Sequence, residues 1–344
     1  MPVEDVWYGR DLGSRLLRGA LAPAAWGYKL VMRARNALYD TGVFRTVPPP
    51  LPALSVGNLS VGGTGKTPVA AWLAQELLAR GARPGVVLRG YGGDEERVHR
   101  LLTPGATVVA DADRIRGVAS AAAAGCDVAV LDDAFQHRRV GRVVDLVLVS
   151  ADVPWVERCL PAGPLREPPA SLRRASLLLV TCKTASVDEG AALGHRLARD
   201  GTLPLAVATL RLASLVAVHA PGRHTSLDAV RNTRMLLVTG IGNPKALQRQ
   251  LESYGAAIEP AVFPDHHRFS RAEVAGLEAR ASALDGAICT LKDAVKLRGF
   301  WTDKGPPLMY VSQRLELPLG VQHVHAALDR LLAARSPTRL STAG

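Results

Sequence analysis

"SVGNLSVGGTGKTPVAAWLAQEL", Ser55 to Leu77, puts a hydrophobic run, a glycine-rich turn and an Ala/Leu-rich stretch of helical spacing in immediate succession. That order predicts a strand, a phosphate-cradling loop and a helix that opens at Lys66-Thr67. The backbone N–H groups of Val61, Gly62, Gly63, Thr64 and Gly65 can wrap a phosphate at the helix N-terminus, where the helix dipole favours negative charge. Lys66 can then reach the β/γ oxygens and Thr67 can place its hydroxyl on Mg²⁺, so a nucleoside triphosphate with Mg²⁺ is the expected ligand. Ser60 stands where the strict G-x-x-x-x-G-K-[ST] pattern has its first glycine.

Outward from this stretch, short hydrophobic runs alternate with helical ones: "PGVVLRG", "ATVVAD", an alanine-rich helix to Gly125, "DVAVLDD", "DLVLVS" and "ASLLLVTC". Unbroken hydrophobic strands interleaved with helices predict an α/β fold whose mainly parallel sheet is covered on both faces, a three-layer α/β/α domain of P-loop NTPase type. The runs Leu205–Leu210 and Leu215–His219 read as connecting strands. A second, smaller α/β set follows, and the tail from Leu328 to Gly344 ends in a loose polar segment. The expected divisions are an N-terminal arm over 1–50, the P-loop core over 51–204, linker strands over 205–225 and a second domain over 226–344.

The arm carries no acidic residue between Leu12 and Tyr39, while Arg15, Arg18, Lys29, Arg33 and Arg35 recur among leucines and Trp26. Its spacing predicts two short basic amphipathic helices, with Pro23 as the break between them and "VPPPLP", Val47 to Pro52, as the stop. Such helices suit an anionic membrane surface; packing on the chain's own domain is the other reading. The 344-residue chain has a formal charge of +11, which favours an acidic partner without choosing one. A nucleic-acid binder is the reading from a different class, but RRM, KH, helix-turn-helix and zinc signatures are absent, so no nucleic acid is expected. No apolar run reaches the roughly 18 to 20 residues that span a bilayer. Four scattered cysteines, Cys126, Cys159, Cys182 and Cys289, form no metal-ligand spacing.

The chemistry-bearing residues fall at predicted strand ends. Asp132 and Asp133 follow Val128 to Leu131, where a P-loop protein needs a carboxylate for its metal. Gln136 and His137 share their loop and can orient substrate. "RGYGGDEE" brings Arg89, Tyr91 and Asp94 to the end of the second hydrophobic strand, and "FPDHHRF" supplies Asp265, His266 and His267 after a strand in the second half. A carboxylate and an imidazole from those two segments would suit deprotonation of a hydroxyl.

"SVGNLSVGGTGKTP", "LRGYGG", "LDDAFQHRR", "LPAGPLREP", "GIGNP", "FPDHHRFS" and "KDAVKL" occur in an order that resembles the tetraacyldisaccharide 4′-kinase family. The resemblance implies a kinase that moves the γ-phosphoryl of ATP to the 4′-hydroxyl of a tetraacyldisaccharide 1-phosphate in lipid A assembly. It also implies a peripheral enzyme at the cytoplasmic face of the bacterial inner membrane, engaging the lipid through its N-terminal arm. The implied fold is two α/β/α domains joined by a two-stranded linker. The implied partner is the lipid A disaccharide precursor, with no protein partner expected. Carried over, Lys66 is the phosphate lysine, Thr67, Asp132 and Asp133 are the metal set, and Asp94 with His266 is the catalytic dyad. Asn58, Arg89, Tyr91, Gln136, His137, Arg166 and Glu167 are placed toward the substrate. Ala134 and Leu291 stand where the family has glycine and an acid, and "RGYGGDEE" runs together two segments that the family separates. A soluble P-loop ATPase or GTPase of metallochaperone or synthetase type is the alternative; it would share the glycine turn alone.

Overall fold

The computed structural model describes residues 3–90, 93–198, 201–241, 244–264 and 267–335. It begins with a short helix α1 (Val3–Tyr8) and a 29-residue helix α2 (Leu12–Asp40), capped by Asp11, whose carboxylate accepts from the Ser14 N–H at 2.8 Å. The two helices expected on either side of Pro23 are one. Proline removes a single intrahelical bond, and Gly19, whose carbonyl loses that partner, is exposed, so water can take the donor's place.

By contacts the chain forms two compact units, Met1–Arg89 with Leu102–Ala208 and Leu317–Gly344, and Gly90–Leu101 with Thr209–Glu316. The first is built on β1 (Ala53–Asn58), followed by α3 (Lys66–Ala79) and β2 (Pro84–Leu88). After helix α4 (Asp94–Leu102), all but its last residue in the second unit, come β3 (Thr107–Ala110), α5 (Arg114–Ala123), β4 (Val128–Asp132), β5 (Val144–Ser150), β6 (Leu177–Cys182) and α6 (Val187–Leu197). Strand order is β6-β5-β1-β4-β2-β3, every pair parallel, with Val56 opposite both Asp132 and Leu146. Every residue of β1, β2, β4 and β6 is buried, as required when helices cover both faces. A Cβ on Gly57 would lie 2.4 Å from Phe135 Cβ; only glycine lets the loop after β4 cross β1 so closely.

The strand β7 (Leu205–Ala217) carries the chain into the second unit, and β12 (Leu308–Leu319) carries it back. Where two connecting strands were expected, β7 is continuous and pairs with a two-residue β8 (His224–Thr225). The second unit holds β9 (Arg234–Thr239), α7 (Pro244–Ser253), β10 (Ala257–Val262), α8 (Arg271–Ser282), β11 (Ala287–Thr290) and α9 (Leu291–Leu297). Its parallel order is β10-β9-β11-β12. A core of Leu236, Val238, Val274, Leu277 and Trp301 fills one layer.

Helix α10 (Val321–Ala333), which takes in the start of the tail expected within the second domain, clusters with the first unit, and residues 336–344 of the loose polar end lie outside the described residues. Val324, Ala327, Leu328 and Leu331 are buried at spacings of three and four, and Arg80 pairs with Asp329 at 2.6 Å. Among the described residues no helix is long and apolar enough to cross a membrane.

Candidate active site

Helix α3 starts without a side-chain cap. Its N-cap is Gly65, at φ 85°, whereas α5, α6 and α8 take caps from Asp113, Ser186 and Ser270. The first-turn N–H groups of α3 therefore remain as donors for an anion. The loop before it is held from several sides: Val61 N–H donates to Pro164 O at 2.8 Å, Asn58 Nδ2 to Thr64 Oγ1 at 2.9 Å, and Thr181 Oγ1 to Thr64 O at 2.9 Å. Ser60 forms an antiparallel bridge with Leu165. Extended backbone there needs no glycine, which explains the serine in the first-glycine position. A cradle fixed before the phosphate arrives spends little entropy in binding it.

At the end of β4 the two aspartates diverge. Thr67 Oγ1 lies 3.4 Å from Asp132 Oδ2, while Asp133 turns toward Lys66, 3.6 Å away, and Arg166, at 2.9 and 3.0 Å. Asp133 has φ 50°, the left-handed region that aspartate tolerates better than most residues; Ala134, in the family's glycine position, is fully buried and is not among the left-handed residues. Burial opposes ionisation of Asp133, but Lys66 and Arg166 outweigh it and hold the carboxyl below its ordinary value. For Lys66, burial dominates and pushes the ammonium down, against the pull of Asp133. Two cations around one carboxylate leave positive charge at the helix N-terminus. Burial, then Arg114, lowers the His137 imidazole, so it is neutral near neutral pH.

Some expected substrate residues are engaged in structure. Asn58 is fully buried and braces the loop, and Gln136 Nε2 donates to Asn58 O at 2.8 Å. Glu167, expected to face substrate, is wholly buried: its carboxylate accepts from Arg174 at 2.9 Å and from Asn36 of α2 at 2.8 Å. It pins the arm rather than facing a ligand. Tyr28 Oη donating to Arg166 O at 2.9 Å makes a second tie. Burial alone would raise the Glu167 carboxyl, but Arg174 and Asn36 hold it below 4.5. A depressed folded-state value means the pair's contribution is complete above 4.5 and is lost as pH falls through the folded value. Glu167→Gln is therefore expected to lower stability by about 3–5 kcal/mol near neutral pH, with Arg174 left unpaired, and to show a smaller deficit in acid. Urea unfolding at about pH 7 and about pH 4 measures both.

Asp94, expected just past a strand end, opens helix α4 and is 7% exposed. Lys296 lies 3.6 Å from its Oδ2. Arg89 is exposed at the end of β2. Tyr91, Asp265 and His266 lie outside the described residues. Sequence reasoning missed Lys183, whose Nζ donates to Gly63 O at 2.7 Å, and Arg114, which donates to Asp132 O at 3.1 Å. For Lys183 a signal existed: like Asp132, it directly follows a hydrophobic strand. Asp152 fixes that turn by accepting from the N–H groups of Lys183, Thr184 and Ala185 at 2.7 to 3.0 Å.

Comparison with known proteins gives one consistent result. The family described as LpxK, tetraacyldisaccharide-1-P 4′-kinase, matches residues 17–107 and 93–333. A tetraacyldisaccharide 4′-kinase of Anaeromyxobacter sp. (strain K) is 34% identical over 98% of this chain and 97% of its own length. One from Geobacter sulfurreducens is 34% identical, covering 94% and 97%. Among solved structures, LpxK from Aquifex aeolicus in complex with ATP superposes with a TM-score of 0.71 at 25% identity, covering 92% of this chain and 99% of that one.

Proposed function

The chain belongs to the tetraacyldisaccharide-1-P 4′-kinase family, and from that premise we propose the part each residue plays in its reaction. It is an ATP-dependent kinase of lipid A biosynthesis, moving the γ-phosphoryl of ATP to the 4′-hydroxyl of tetraacyldisaccharide 1-phosphate. The observation that carries the assignment of roles is the uncapped, braced loop at the start of α3 with Lys66, Thr67, Asp132 and Asp133 around it.

The 4′ oxygen attacks the γ-phosphorus, the bond from that phosphorus to the β,γ-bridging oxygen breaks, and ADP leaves. Asp94 accepts the hydroxyl proton, with His266 as its partner in the dyad. Lys66 and the amides of Val61 to Gly65 cover charge that develops on the phosphoryl oxygens, and such donors dominate the catalysis of phosphoryl transfer. Lys66 and then Arg166 hold the Asp133 carboxyl below its ordinary value, and Lys183 keeps the Gly63 carbonyl turned away from the anion it would repel. The donor set of Thr67 hydroxyl and Asp132 and Asp133 carboxylates fits Mg²⁺, which takes hard oxygen ligands and usually few of them from protein. When bound, Mg²⁺ neutralises phosphate charge. Arg89, Tyr91, Gln136 and His137 are retained as substrate-side residues.

The acceptor carries acyl chains, and the arm supplies a face for a lipid layer. At 100° per residue, Leu12, Leu16, Trp26 and Leu30 form one exposed stripe opposite the buried Ser14, Ala25 and Asn36, with Arg15 and Arg33 exposed beside it. This supports peripheral binding at the cytoplasmic face of the inner membrane, where ATP and the lipid meet. The test is transfer of label from ATP to the disaccharide 1-phosphate lipid, in mixed micelles and in anionic liposomes. Leu16→Asp/Trp26→Asp is expected to abolish liposome sedimentation and to slow transfer on liposomes while sparing transfer in micelles. Unchanged sedimentation would remove the arm from the membrane reading.

A further inference from the structure

Residues from four sequence segments meet within the second unit: Gly240, Pro264, Asp293 with Lys296, and Asp94. Gly240, at the end of β9, donates its N–H to Asp293 Oδ2 at 3.1 Å, and a Cβ there would lie 2.9 Å from Pro264 O and 3.3 Å from Asp293 Oδ1. Gly240, Pro264 and Asp293, one residue from each of three segments, therefore meet at a position that admits only glycine. The fourth segment, "RGYGGDEE", brings Asp94.

Lys296 is the group that joins them. Its ammonium lies 3.6 Å from Asp94 Oδ2 and 3.7 Å from Asp293 Oδ1, with side-chain exposures of 13% for the lysine, 9% for Asp94 and none for Asp293. Asp293 cannot drift toward the lysine or away from it: its Oδ2 also accepts from Thr290 Oγ1 at 2.7 Å, and its N–H donates back to that hydroxyl at 3.2 Å. The order of constraint runs from the backbone of Gly240 and the cap of α9, through Asp293, to Lys296 and then to Asp94. Burying a carboxylate is costly unless a cation or hydrogen-bond donor lies beside it. Of the two carboxylates facing Lys296, one is tied down and the other is the group assigned to take the proton.

We propose that Lys296 is a positioning residue for phosphoryl transfer, an ammonium anchored by Asp293 that holds the Asp94 carboxylate in place and aimed. The proposal rests on the reading of Asp94 as the general base. Misplacing a reacting group by about 1 Å typically lowers rate by roughly 100-fold, so Lys296→Met is expected to reduce kcat for transfer on that order with KM for ATP little changed. Lys296→Arg, which keeps the charge, recovers most of that loss. In the Asp94→Asn background, where no base remains to hold, Lys296→Met adds nothing further.

The experiment is a single-turnover and steady-state transfer assay on these four enzymes, with ATP binding as the control for folding. If Lys296→Met does not fold, Lys296→Gln takes its place with the same expectation. Near-normal kcat in the neutral variant, or an equal fold-loss with and without Asp94, overturns the proposal. Full turnover by Asp94→Asn overturns the general-base reading and the proposal together. An inactive Asp94→Asn beside a normal Lys296→Met overturns the proposal alone.

Discussion

Lys66→Met is expected to lower kcat for transfer by roughly 10²–10³-fold, the loss typical of removing one preorganised donor from developing transition-state charge. The side chain sits at the uncapped N-terminus of α3, its ammonium pushed down by burial and supported chiefly by Asp133, 3.6 Å away. That balance suits a group that exchanges a carboxylate for phosphate oxygens as ATP arrives. The methionine is close in length and removes only the charge, so α3 and its contacts with β2 and β4 stay in place. Arginine would not substitute well, since a planar fork cannot occupy the site of a compact point charge. ATP affinity is expected to fall as well, since the role proposed for Lys66 puts it on phosphate oxygens in ground and transition states alike. Steady-state kcat together with an ATP titration separates the two effects. A variant with unaltered kcat would show that the amides and Arg166 suffice.

The sequence brings these residues forward as candidates because their signal is local. A β-branched run, glycines and Lys66-Thr67 are contiguous, and the aspartates after β4 fall directly at the end of the strand beside β1. The helix over α2 was misjudged at Pro23 because whether a proline breaks a helix depends on where the released carbonyl points, and exposure at Gly19 is set by packing. Helix α10 clusters with the first unit, against its expected place in the second domain, for a related reason. Val324, Ala327, Leu328 and Leu331 have helical spacing, but nothing in that spacing names β5 and β6 as the strands it covers. Glu167 shows a different limit. Next to Arg166, in a segment that resembles a family motif, it reads as a ligand contact. Only its enclosure by Arg174 and Asn36, the latter 131 residues away in sequence, shows that it is a brace. The partnership of Asp94 with Lys296 was hidden by distance along the chain. Two residues far apart in sequence meet because α4 clusters with the second unit while the strands on either side of it belong to the first.

Asp94→Asn is the sharper test of the chemistry. It is expected to reduce kcat by roughly 10²–10⁴-fold, the range that a positioned general base contributes, while ATP binds as in the parent enzyme. The amide keeps the size and shape of the carboxylate at the N-terminus of α4, so the helix start is retained and only proton acceptance is lost. ATP affinity is expected to hold because the P-loop and its bracing residues belong to the other compact unit. Alanine would be a poorer probe: it leaves Lys296 with Asp293 as its one remaining carboxylate of the pair and so mixes loss of the base with a rearranged ion pair. The two readings of the chain's chemistry also separate here. A kinase whose base is Asp94 loses transfer to the lipid hydroxyl in the amide variant, yet its loop, Lys66 and Thr67 can still support slow hydrolysis of ATP by water. Parallel assays of labelled lipid and labelled free phosphate resolve the point. Transfer lost with hydrolysis retained places Asp94 at the acceptor oxygen. Transfer retained would assign the proton to another group, with His137 the described neutral imidazole to examine next.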